Sequence, residues 1–183
     1  MHLWEERMEI MGDGTLRELV YGKGAHVDPV ACVEDISAAL AARTVAGYPH
    51  FIWQIVEHMN YWMDYDLGKV AGENRPYPDK AILSWPVHPS PAVEGRARDD
   101  AKGDAWRAAT RRFTDLLARL AESDAVELAR KVQSPGPAQS LRESTVHAIL
   151  WQIAAHNSYH AGQIALLRRQ FGAWPPERGG DTW

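Results

Sequence analysis

Several things are scarce in this chain, and each shortage excludes something. Of its 183 residues only Cys32 is a cysteine, so no disulfide can form within the chain and a reducing cytoplasm suits it. No apolar run approaches the length of a membrane span. The opening stretch MHLWEERMEIMGDG carries charges where a secretory leader needs an apolar core. There is no basic block and the net charge is −4, which argues against a nucleic acid or an anionic membrane as the main partner. The patterns HExxH, CxxC and GxSxG and a glycine-rich phosphate loop are all missing. Glu-x-x-His is missing too, which disfavours a ferritin-like two-metal bundle. A soluble protein suited to a reducing cytoplasm is the expectation these shortages leave.

What is present is an ordinary globular composition, 45% hydrophobic and 24% charged, on a length suited to a single domain over residues 1–183. Eight tryptophans and eight histidines are the two departures from the average.

The apolar periodicity is helical nearly throughout, and no stretch alternates convincingly as a strand. It predicts a first helix over about Leu3 to Val20 and a second opening at Asp28-Pro29, with Val30, Val33, Ile36 and Leu40 on one face. A third opens at Pro49, with Ile52, Ile55, His58 or Met59, Trp62 and Leu67 as its stripe. Five prolines between Pro76 and Pro91 forbid a long helix there and predict a long connection over Gly72 to Ser90. Another helix is expected over Pro91 to Glu122, turning Trp106, Phe113, Leu116, Leu117 and Leu120 inward. The last opens on a capping box at Ser140 and Glu143 and stops at Gly172, with Arg168 and Arg169 in the turn where the helix dipole favours cations. The expected architecture is all-α: four main helices in one bundle plus an extra N-terminal helix. Trp53, Trp62, Trp106 and Trp151 are expected in the core. Trp85, in the proline-rich connection, either covers a site or packs that connection down.

The last helix contains the chemistry. His156 and His160 are four residues apart, so they share a face one turn apart. Ile149, Ile153 and Leu167 lie on the same side, so the two imidazoles interrupt an apolar stripe. An unpaired polar group in a core costs roughly 1–3 kcal/mol, so something must compensate. One reading is hydrogen-bonded core histidines. The other is a metal ion, which takes the lone pair of each neutral ring. A metal needs a third ligand, and His58 on a separate apolar helix is the candidate. Three histidines with further positions left to water form the open pattern of a catalytic ion. Gln54, Gln152 and Gln163 are placed to orient a ring. His147 falls on the opposite face of its helix, and His50 lies too far along its axis to share the ion. His2, His26 and His88 fall in loops or at the terminus.

The segments GYPHFIWQIVEHMNYW, SWP and HAILWQIAAHNSYHAGQIALLRRQFGAWP, spanning about Leu19 to Pro175, resemble the DinB/YfiT-like family. The resemblance implies a four-helix bundle with a long crossover connection. It implies one divalent ion, zinc foremost and nickel as the second choice, held by His58, His156 and His160. It also implies homodimers, and an activity among hydrolases or transferases and isomerases that use a low-molecular-weight thiol. Phe51 departs from the family, where a small polar residue is expected at the helix cap. A metal-dependent enzyme is the resulting expectation. A non-catalytic metal-binding or structural bundle, with a stress-related or sensing role, is the alternative.

Overall fold

The computed structural model describes residues 15–22, 25–80, 84–85, 96–122 and 128–180. The described elements are mostly helical. They are α1 (Thr15–Val20), α2 (Ala31–Glu34), α3 (Ala38–Ala41), α4 (Ile52–Val70), α5 (Arg96–Ala121), β1 (Lys131–Pro135), β2 (Leu141–Thr145) and α6 (Val146–Gln170). The long helix α4 packs against both α5 and α6, and α1 rests on α5 and α6.

The inward faces follow the apolar periods. Ile52, Ile55, Met59 and Met63 of α4 meet Phe113, Leu117 and Leu120 of α5 and Leu150, Ile153 and Ile164 of α6 in one core. Trp106 is buried there with its Nε1–H donated to the Ile36 carbonyl at 2.8 Å, which satisfies its polar edge. Trp53 is buried as expected and Trp62 is half-buried, but Trp151 stands 57% exposed on the outer face of α6. Among the described residues no helix is long and apolar enough to cross a membrane.

Four local expectations are revised. The helix expected from Asp28 is two single turns, α2 and α3, separated at Asp35. Asp28 accepts from the Val30 amide at 2.8 Å and so closes a turn. Asp35 instead gives its carboxylate to Arg168 at 2.6 and 3.0 Å, and Ser37 caps the new turn by accepting from Leu40. Arg168 lies in the last turn of α6 as expected, and it is buried there. It is 2% exposed and also donates to the carbonyls of Cys32 and Ala173. Gly172 does adopt the left-handed stop, at φ +70°.

The capping box at Ser140 and Glu143 does not form. That stretch is β2, paired antiparallel with β1 so that Gln133 faces Glu143, and Glu143 takes Lys131 at 2.8 Å. Thr145 caps α6 instead, accepting from Ala148 at 3.1 Å. The hairpin contradicts the expectation of no strands. Only β1 shows alternation, with Val132 and Ser134 inward, because β1 lies on α4 while β2 faces outward. Its tip holds Ala138 and Gln139 at φ 56° and 55°, a conformation costly for residues with a Cβ. The Gln139 amide offsets this by pairing with both the N–H and the C=O of Tyr77, at 3.3 and 2.8 Å. That clamp ties the hairpin to the connection after α4.

Helix α4 starts three residues later than Pro49, with Phe51 at its cap. Phe51 brings no capping oxygen; its own amide donates to Gln54 Oε1 at 3.4 Å. The expected helices over residues 3–14 and 91–95, and with them His2 and His88, lie outside the described residues.

Candidate metal centre

His58 enters the core from the middle of α4, 6% exposed, and His160 from α6, 4% exposed. His156, one turn before His160, is half-buried. The packing of α4 on α6 makes the three rings converge. His156 Nε2 lies 3.1 Å from His58 Nε2 and 3.1 Å from His160 Nε2. One ligand atom from each ring falls within 4.8 Å of the others, so the three could hold one metal ion.

The outer nitrogens decide the tautomers. His58 Nδ1 is 2.9 Å from the Ser84 carbonyl, which only accepts, so Nδ1 carries the proton and Nε2 a lone pair. Gln163 donates its amide to the Tyr159 hydroxyl at 3.1 Å, which turns its Oε1 toward His160 Nδ1 at 2.6 Å. His160 Nε2 is therefore a lone pair as well. His156 Nε2 faces both. If it carries a proton it can serve only one neighbour fully, and the His156 Nδ1 lone pair is left buried without a partner. If it does not, three lone pairs meet. A cation that accepts all three Nε2 lone pairs resolves the conflict at the centre of the cluster, so the residues present fit a metal ion. Imidazole nitrogens suit zinc, nickel, copper or iron.

Burial also keeps the rings neutral. His58 is pushed down to about 4 and His160 to about 3, chiefly by loss of water, with mutual repulsion between the rings adding to it. Burial lowers His156 too. Neutral rings are the form a metal binds.

Trp85 closes one flank. Its indole stacks on His58 at 3.8 Å with the rings 7° apart, and His50 stacks on its other face at 3.6 Å. The indole edge also meets His160 at 5.8 Å. Of the three glutamines, Gln163 reaches the cluster. Gln152 is exposed, and Gln54 serves Phe51 and His50. His50 lies before the start of α4 and outside the converging group, and it packs behind Trp85. His147 is exposed, and His26 is bonded to Ser158 at 2.8 Å. Sequence reasoning missed Ser84, whose backbone carbonyl has no sequence signature. It also missed Tyr159, which spacing could have found, four residues before Gln163.

Fold and site together define a helical protein with a three-histidine candidate metal centre between two of its long helices. The chain belongs to the DinB superfamily, whose family model matches residues 29–164, a span that includes all three histidines. No curated protein and no solved structure matches the chain significantly.

Proposed function

We propose that the chain is a metal-dependent enzyme, a hydrolase or a thiol-dependent transferase, built as one domain of four-helix-bundle type with a long connection between α4 and α5. His58, His156 and His160 hold one divalent ion, zinc foremost and nickel as the alternative. The observation that carries this reading is the convergence of three Nε2 atoms, two of them with their outer nitrogens already committed to oxygen acceptors. When bound, such an ion lowers the pKa of a water or a thiol so that it is a nucleophile near neutral pH. The chain's own part is orientation and exclusion. The Ser84 carbonyl fixes the His58 ring, Gln163 fixes His160, and Trp85 keeps water from the stacked face of His58. The partners are a small molecule, a low-molecular-weight thiol among the candidates, and a second copy of the chain, in the cytoplasm. The exposed Trp151, Tyr159 and Leu166 on the outer face of α6 support the second copy. Sedimentation of the unaltered protein and of Leu166→Asp tests it: a dimer that falls to a monomer in the variant is expected, and a monomer mass for the unaltered protein would remove the second copy.

The test of the centre is metal analysis of protein purified without an affinity tag. One equivalent of divalent metal per chain is expected, lost in the His156→Ala/His160→Ala variant. Full metal content in that variant overturns the assignment. The near-complete burial of His58 and His160 favours one competing reading, a structural ion with no chemistry. A metal that raises the melting temperature but supports neither hydrolysis nor thiol transfer across substrate panels would select it.

A further inference from the structure

The three imidazoles are unequally supported. His58 and His160 each give an outer N–H to an oxygen, whereas His156 Nδ1 is buried with no partner. The next residue, Asn157, is 2% exposed, and both polar atoms of its amide are without a partner. Three buried polar atoms without partners on two consecutive residues are unusual, because native interiors pair nearly all such groups. The Asn157 amide is near enough to act on the His156 ring, yet neither of its polar atoms completes a hydrogen bond to it. Packing alone does not account for an asparagine here, since an apolar residue of the same volume would fill the space without a desolvated amide.

We propose that Asn157 is the positioning residue for His156: its Oδ1 accepts the His156 Nδ1–H when Nε2 is committed to a divalent cation. This rests on the metal reading above. Asn157 then completes a set in which each ligand's outer nitrogen is held by an oxygen, from Ser84, Gln163 and Asn157. The three supports differ in kind: a backbone carbonyl, an amide one turn along the helix, and the adjacent residue's amide. Asn157 is the one whose bond waits for the ion. In the metal-free protein it is a cost, and in the loaded protein it is a support.

That difference in sign is the test. Zn2+ affinity is measured by competition with a chromophoric chelator, and melting is followed with and without Zn2+, for the unaltered protein, Asn157→Leu and Asn157→Asp. Asn157→Leu removes the acceptor and is expected to weaken the Zn2+ Kd about 10–100-fold. Its metal-free Tm is expected to hold or rise, because an unpaired buried amide is gone, while the Tm gain on adding Zn2+ shrinks. A residue that only packs would lower the metal-free and loaded Tm alike. Asn157→Asp keeps an acceptor in place and is expected to bind Zn2+ within about threefold of the unaltered protein or more tightly. If Asn157→Leu fails to fold, a folded Asn157→Asp that binds Zn2+ tenfold more weakly overturns the proposal. Unaltered protein that binds Zn2+ beside an Asn157→Leu variant with the same Kd also overturns it and leaves the metal reading standing. Unaltered protein that binds no Zn2+ overturns both.

Discussion

Acidifying the metal-free protein is expected to destabilise it through the histidine cluster, well above the pH at which carboxylates titrate. His58 and His160 are held at about 4 and about 3 when folded, against an ordinary value of 6.5 once the chain unfolds. Between those values the unfolded chain binds more protons than the native one, so stability falls as pH falls and is fully present only above the unfolded value. For His58 alone, the loss between pH 7 and pH 5 is about 2 kcal/mol. His160 adds a loss of the same sign. The rings repel one another, so they titrate as a unit, and the joint loss is on the order of 2–4 kcal/mol. That is a large part of the 5–15 kcal/mol typical of a domain. Burial lowers His50 and His156 as well, in the same direction. Asp35 stays out of this window: Arg168 holds it below its ordinary 3.8, so its contribution is lost only at lower pH. Urea unfolding of chelator-treated protein from pH 8 to pH 5 gives the midpoint at constant slope. A midpoint that is flat or rises between pH 7 and pH 5 refutes the buried neutral cluster. Saturating Zn2+ competes with protons for the same nitrogens and is expected to move the fall to lower pH.

Other outcomes follow from single residues. Arg168→Met leaves the Asp35 carboxylate, at 11% side-chain exposure, without its counter-charge and with the Glu177 amide still bonded to it, and is expected to lose about 3–5 kcal/mol in urea unfolding; a loss under about 1 kcal/mol would show that water replaces the pair. Cys32 is 0% exposed with its thiol pushed up to about 12, so a colorimetric thiol reagent is expected to label it only after denaturation. Gln163→Leu removes the acceptor on His160 Nδ1 and is expected to weaken Zn2+ binding about 10–100-fold by chelator competition. Tyr159→Phe touches only the amide behind it, so a loss as large as that of Gln163→Leu would contradict this order of support.

Where residues interact with close neighbours along the chain, sequence was enough. The apolar faces of α4, α5 and α6 could be read from a 3.6-residue period, because a helix folds that period into a surface. His156 and His160 share a face for the same reason, and the Gly172 stop is a backbone property of glycine. Even Phe51 gave notice that the α4 cap would lack a side-chain oxygen.

The rest was decided by contacts between distant segments. Asp35 breaks its helix because Arg168, 133 residues away, takes its carboxylate, and no local preference encodes that pair. The stretch after Ser140 reads locally as a capped helix, yet it becomes a strand because β1 lies on α4 and offers it an edge. Trp151 has the composition of a core residue and faces outward because α6 presents its other side to α4. The sequence alone therefore determined a mostly helical protein and the three histidines to watch. Tertiary structure alone brought His58 to the other two and supplied the Ser84 carbonyl that sets its tautomer, because convergence and backbone acceptors depend on how helices pack and not on which residues they contain.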